Sequence, residues 1–238
     1  MSLASDLFIP TLNQQGFAVP KLDPFSKRFT EPTSGTLLEI GAAFGFATLK
    51  ALANGANVYA NDLEPKHLKQ LSDAADGKGY RGLKTIAARF PDELEFENET
   101  FEKILISRVL HFFTGEQIQR SLRKIYDWLS ASGELIVVCD TIYFKHWEAV
   151  YPEYKKRKNT NKRFPGEFNE PLKHAEKWGQ HLPEFYHFLD VESLSSFFKD
   201  AGFDIVEAGY INRKNQFPDE LLYDGRESVG IVGRKPCK

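Results

Sequence analysis

The chain has 238 residues, 42% hydrophobic and 27% charged, with a net charge of −2. That length suits one large α/β domain, or one with an insertion, and leaves enough apolar material for a core. The charge balance provides no global field for nucleic acid or an anionic membrane, and no apolar run approaches the ~18 residues that a membrane span needs.

Thr36-Leu37-Leu38-Glu39-Ile40 reads as a short buried strand, followed by a turn of small residues from Gly41 to Gly45. A helix then carries Ala47, Leu49, Ala51 and Leu52 and ends near Asn54-Gly55. Asn57 to Ala60 is a second strand that closes on Asn61-Asp62. Pro65 suits the first turn of the next helix, where its missing N–H costs nothing. Leu68 and Leu71 form the apolar face of that helix, and Gly77 and Gly79 end it. Leu83 to Ala88 is a third strand, and Lys103 to Ser107 a fourth. Thr114 and Gln117 have the spacing of a capping box. Behind them Ile118, Leu122, Ile125 and Leu129 share a helical face, with Ser132-Gly133 expected to stop the helix. Glu134 to Cys139 is a fifth strand. Asp190 caps a last helix bearing Leu194, Phe197 and Phe198, which Gly202 ends. Phe203 to Tyr210 and Ser228 to Gly233 are two late strands joined without a crossover helix.

Strands alternating with helices imply a parallel sheet covered on both faces. The final loop connection permits an antiparallel strand at the end. Residues 35–238 therefore read as one domain, with residues 1–34 as an irregular, proline-rich arm or lid. Residues 141–189 break the alternation and are rich in aromatics, among them Tyr143, Trp147, Tyr151, Tyr154 and Trp178. They are expected to form an insertion covering the substrate at the carboxyl edge of the sheet, with Tyr143, Trp147 and Tyr151 as acceptor contacts. The chain starts without the basic and apolar segments of a secretory leader. Its two cysteines, Cys139 and Cys237, supply no zinc framework and suit a reducing cytoplasm.

Open α/β sheets bind ligands outside the carboxyl ends of their strands. Small residues in the turn after the first strand allow a ligand close to the backbone. Asp62, 17 residues after Gly45, stands where an acid can accept hydrogen bonds from both ribose hydroxyls. Alternatively, the turn serves tight strand-to-helix packing and Asp62 is a helix cap.

The run from Leu38 to Gly45 resembles the first motif of class I S-adenosylmethionine-dependent methyltransferases, an acid followed by Gly-x-Gly-x-Gly. Asp62 is similar to the family's ribose-binding acid, Phe101 to Phe113 to its fourth-strand motif, and Leu189 to Phe203 to the late helix of its small-molecule branch. The resemblance spans roughly residues 35–140 and 188–234. It implies a Rossmann-like, mostly parallel seven-stranded sheet with an antiparallel last strand and an inserted lid after strand five. It also implies S-adenosylmethionine as cofactor, held by Glu39, Gly41, Ala42, Gly45, Asp62 and Ser107. Ala43 replaces the middle glycine but remains small. The family's adenine-binding acid is missing at the aligned position, where Phe90 stands and is expected to stack on adenine, with Asp92 nearby.

By that resemblance, the reaction is displacement at a sulfonium methyl, where in-line positioning supplies ~7–11 kcal/mol. A base is needed only for an acceptor that arrives protonated. His111 is the candidate base and Arg108 the candidate anchor of an acidic acceptor; a backbone-bonded histidine and a salt bridge to the arm or lid are the plainer readings. A small-molecule acceptor is favoured, since aromatic walls suit such pockets. The basic segment 155–163 leaves RNA methylation as an alternative, and a non-catalytic cofactor-binding module is another. An NAD-dependent oxidoreductase would want Gly-x-Gly-x-x-Gly, which the turn does not provide.

Overall fold

The structure is a computed structural model and describes residues 7–160, 162–169 and 184–237. Trp178 and the middle of the expected insertion lie outside the described residues. The chain begins with a two-stranded hairpin, β1 (Ile9–Pro10) and β2 (Phe17–Ala18), followed by helix α1 (Pro24–Phe29). The arm is thus more regular than its prolines suggested. Asp23 caps α1 through Ser26 N–H, and Pro24 occupies the first turn.

The alternating part follows: β3 (Thr36–Ile40), α2 (Phe46–Ala53), β4 (Asn57–Asp62), α3 (Pro65–Gly77), β5 (Leu83–Ala87), β6 (Phe101–Ser107), α4 (Gly115–Trp128) and β7 (Leu129–Asp140). Both halves of the Thr114–Gln117 capping box are present. One boundary differs from the sequence reading. Helix α4 stops at Trp128, and Ser132-Gly133 lie inside β7. Leu129 already pairs beside Phe101, and Ser130 Oγ donates to the Phe101 carbonyl at 3.0 Å, so sheet pairing ends the helix before the glycine does.

After β7 come α5 (Tyr151–Asn159), the paired short strands β8 (Glu167–Asn169) and β9 (Phe185–His187), α6 (Val191–Asp200), β10 (Asp204–Ile211) and β11 (Ser228–Arg234). The main sheet has seven strands in the order β10-β11-β7-β6-β3-β4-β5. The β3–β7 block is parallel, while β11 runs antiparallel to both β7 and β10. The last strand is therefore the antiparallel one, inserted beside β7.

The central strands are apolar on both faces because both faces are covered. Leu38, Ile104, Ile106, Leu135, Val137 and Cys139 join the core beneath α4 and α6. Their neighbours Leu37, Leu105, Ile136 and Val138 point the other way, toward Phe25 and Phe29 of α1 and Ala47 and Ala51 of α2. Helix α1 is thus built into the domain's second layer. A separate apolar cluster unites Phe8 of the arm, Phe144, Trp147, Tyr154 and Tyr186 of the segment after β7, and Phe217 and Leu221 before β11. No helix among the described residues is long and apolar enough to cross a membrane.

Candidate active site

The turn after β3 is fixed by glycine geometry and by a buried acid. Gly41 has φ 73°, and a Cβ there would run into the Val109 side chain. Gly41 N–H and Ala42 N–H both donate to the Asn61 carbonyl at 2.9 Å, tying the turn to the end of β4. Glu39, at the foot of the turn, accepts through Oε2 from Thr48 N–H (3.0 Å) and Thr48 Oγ (2.5 Å). It therefore anchors the first turn of α2 from the preceding strand. Burial pushes the Glu39 carboxyl up to about 7; the two Thr48 bonds oppose that rise and the Asp62 charge adds to it.

Asp62 ends β4 and faces the same turn. Its Oδ2 accepts from Ala43 N–H at 2.7 Å. Its Oδ1 accepts from Glu64 N–H at 2.8 Å and lies 3.1 Å from His67 Nδ1. A carboxylate offers about four acceptor sites, so Oδ2 keeps one for an incoming hydroxyl.

A cavity of about 200 Å³ lies against these groups. Glu39, Gly41, Ala42, Asp62, Ser107, Arg108 and His111 all line it, so most of the sequence-derived site converges. The arm forms its other wall, with Gly16, Phe17, Val19 and Leu22. Two expected cofactor contacts fall elsewhere. Gly45 does not line the cavity: it sits at φ 70° before α2, and a Cβ would collide with Leu71, so it permits the packing of α2 on α3. Phe90 lies in the core beneath α4, 6% exposed, with ring centroids 6.0 Å from Phe113 and 6.2 Å from Trp128. Burial among aromatics, which sequence spacing could not reveal, removes it from the cavity wall. Asp92 is exposed and does not line it either.

A second, smaller cavity of about 50 Å³ meets the first at Phe17, Arg108, His111 and Phe112. Phe8, Phe144, Trp147 and Tyr186 wall it, together with His146 and Asp140. Of the three expected acceptor contacts, Trp147 alone lines it. Tyr143 instead stacks under the Arg226 guanidinium at 3.7 Å and packs against Tyr151 and Tyr210. Helical spacing between Trp147 and Tyr151 is broken because Trp147 ends a short 3₁₀ turn before α5 starts.

Arg108 has φ 63°, a left-handed conformation that costs a non-glycine residue energy and often marks a functional position. Its Nη2 pairs with Asp140 Oδ2 at 2.9 Å, and its guanidinium lies over the rings of Phe217 (5.0 Å) and Phe8 (5.6 Å). Nε and Nη1 of Arg108, Nδ1 of His111 and Nδ1 of His146 are buried without a hydrogen-bond partner among the described residues. The His111 ring stacks parallel to Tyr186 at 4.8 Å. Burial lowers both His111 and His146 to about 4, so both imidazoles are neutral at pH 7. Arg213, 1% exposed, was not singled out by sequence reasoning. Its Nε donates to Ser228 Oγ, which donates to Asp140, and its Nη1 lies 3.4 Å from Asp23 Oδ2. No local motif announces this network, because its bonded members lie 15 to 190 residues apart.

Residues 38–137 match a family model described as a methyltransferase domain. Over those residues the chain is similar to a methyltransferase domain, and its fold is that of S-adenosylmethionine-dependent methyltransferases of known structure. No curated protein sequence matches the chain. Solved structures share its fold. A methyltransferase from Methanosarcina mazei is 16% identical, with a TM-score of 0.64, covering 92% of this chain and all of that one. One from Mesorhizobium loti is 18% identical, TM-score 0.63, covering 87% of this chain and 94% of that one. The 1,6-didemethyltoxoflavin-N1-methyltransferase of Burkholderia thailandensis, solved with its substrate and S-adenosylhomocysteine, is 18% identical, TM-score 0.61, covering 90% and 77%. The Methanosarcina and Mesorhizobium proteins are dependent on S-adenosylmethionine. The glycine-lined turn, the spare acceptor site on Asp62 and the adjoining buried acid Glu39 fit that molecule's ribose and charged amine.

Proposed function

We propose that this methyltransferase acts on a small, flat acceptor bound in the cavity walled by Phe144, Trp147 and Tyr186, beside the cofactor cavity. The observation that carries the reading is the junction itself: two aromatic-walled spaces meet at Arg108 and His111, whose side chains hold unpaired buried nitrogens. Unsatisfied buried polar groups are costly, and a ligand offers them partners. The Burkholderia neighbour binds a small substrate, which agrees with this reading. The cofactor supplies an electrophilic methyl and leaves as a neutral thioether. Asp62 holds its ribose and Glu39 faces its charged amine, and the turn at Gly41 and Ala42 allows its close approach. Arg108 anchors the acceptor through Nε and Nη1. His111, neutral at pH 7, accepts the proton of a hydroxyl or N–H acceptor, which keeps the transferred charge balanced. The arm and the segment after β7 form the cover that excludes water.

The basic run at 155–163 gives little support to RNA. Arg157 stacks on Phe168 at 3.9 Å and bonds Glu153; Lys158 contacts both Asp190 and Glu192 at 2.7 Å. These charges are committed within the protein. Two unbridged cysteines agree with a cytoplasmic setting. The test is methyl transfer from radiolabelled cofactor to a panel of small heteroaromatic acceptors and to short RNAs. Once an acceptor is found, Trp147→Ala should raise its KM without changing cofactor affinity, while Tyr151→Ala leaves both unchanged. Labelling of RNA alone overturns the proposal.

A further inference from the structure

The arm and the cofactor acid are joined through a single side chain. Leu12 N–H in the hairpin tip donates to His67 Nε2 at 2.9 Å. Because Nε2 is the acceptor, the proton of the neutral ring is on Nδ1, and Nδ1–H donates to Asp62 Oδ1 at 3.1 Å. Asp62 Oδ2 in turn accepts from Ala43 N–H in the turn that faces the cofactor cavity. His67 is 1% exposed, and its ring packs edge-on against Phe44 at 5.0 Å, so it has little room to reorient. Arm residues Thr11, Asn13, Gln15 and Phe17 wall the same cavity as Asp62, so an incoming cofactor must pass the arm or displace it.

We propose that His67 is a positioning residue that latches the N-terminal arm to Asp62 and thereby slows release of the bound cofactor. The inference rests on the reading that Asp62 grips the cofactor ribose. The latch is compatible with a bound ribose. Oδ1 already carries the Glu64 and His67 bonds, whereas Oδ2 carries one and keeps its remaining site open. A hydroxyl on Oδ2 leaves the His67 bond in place and with it the hold on Leu12. By linkage, closing the arm favours the bound cofactor as much as the cofactor favours the closed arm. The hairpin has two residues per strand and is not stable on its own, so its place depends on the Leu12–His67 bond together with the packing of Phe8 against Phe17 and Phe217.

A clean perturbation lies outside the site. Leu12 is the second residue of a turn closed by Gln14 N–H on the Thr11 carbonyl at 3.0 Å, the position where proline is favoured. Its backbone is not left-handed, and its side chain is 41% exposed. Leu12→Pro therefore deletes the N–H donor while preserving the turn and every residue that touches the cavity acid. His67→Phe keeps the ring against Phe44 and removes both hydrogen bonds. The experiment uses the full chain, with S-adenosylhomocysteine as probe. Its dissociation rate is measured by stopped flow, and hydrogen exchange is followed over residues 7–22. The latch predicts dissociation about five- to tenfold faster in Leu12→Pro, the scale of one hydrogen bond. It predicts a larger increase in His67→Phe, and lost protection of the arm in both. Unchanged dissociation in Leu12→Pro overturns the latch, even if the arm becomes mobile. Faster dissociation confined to His67→Phe also overturns it and leaves His67 as a support for Asp62 alone. Asp62→Ala separates the two ideas: if it leaves affinity unchanged, the ribose reading fails and the latch falls with it. If it weakens binding while Leu12→Pro does nothing, only the latch fails.

Discussion

Replacing Glu39 by Gln tests how the buried acid at the foot of the cofactor turn links protons to folding and binding. Glu39 is 5% exposed, and burial raises its carboxyl from 4.5 to about 7, with the nearby Asp62 charge adding to the rise. The folded protein therefore holds this proton between pH 4.5 and 7, where the unfolded chain has released it. Stability from this group is fully present below pH 4.5 and is lost as pH rises through 7. The rise corresponds to about 3 kcal/mol. The Glu39→Gln protein stays neutral throughout and retains a carbonyl for the Thr48 donors. Urea unfolding of the cofactor-free proteins should show similar stabilities at pH 4.5, with the Gln protein ahead by about 3 kcal/mol at pH 8. A stability difference that is the same at both pH values would refute the argument, because it would mean that Glu39 does not titrate in this window. The same logic extends to binding. If the cofactor's ammonium sits beside Glu39, S-adenosylhomocysteine binding near pH 7 releases a proton from the wild-type protein. Calorimetry in buffers of different ionisation heat should detect that release, and should lose it in Glu39→Gln.

Other expectations follow from the same geometry. Asp62→Ala should weaken S-adenosylhomocysteine binding by about 1.5–3 kcal/mol, the scale of a hydrogen bond to a charged group, as read by calorimetry on the folded protein. Phe90→Ala should cost about 3–5 kcal/mol of stability by leaving a cavity under α4, with cofactor affinity retained. A selective loss of affinity would instead put Phe90 back at the adenine. With an acceptor that carries a proton, His111→Phe should lower kcat by at least about 10²-fold. Since His111 gains its proton only near pH 4, the wild-type rate should show no limb from this residue between pH 6 and 8. A limb near pH 6.5 that vanishes in the variant would contradict the burial argument.

The sequence by itself determined the sheet and picked out much of one wall of the candidate cofactor cavity. Strands such as Leu135 to Cys139 are short continuous apolar runs suited to a sheet covered on both faces, and helices such as Ile118 to Ile125 repeat at helical spacing; both are local signals. The turn from Glu39 to Gly45 and Asp62 at the end of the next strand were legible for the same reason: ligand position in an open sheet follows from where strands end. Tertiary structure decided what depends on distant partners. Gly45 and Phe90 had the right residue types and spacings for the cofactor, but Leu71 in one case and Trp128 in the other claim their surroundings. Tyr143 and Tyr151 had the right composition for an acceptor wall, yet Tyr143 packs against Arg226 and Tyr210, Tyr151 packs against Tyr143, and neither lines the second cavity. Tyr186 shared the aromatic richness of residues 141–189, whereas His146 and Arg213 had no local signature at all. They acquire their setting only when the segment after β7, the arm and the loop before β11 collapse onto one another. Apolar burial is non-directional, so a sequence shows which residues will be buried but not which of them will meet.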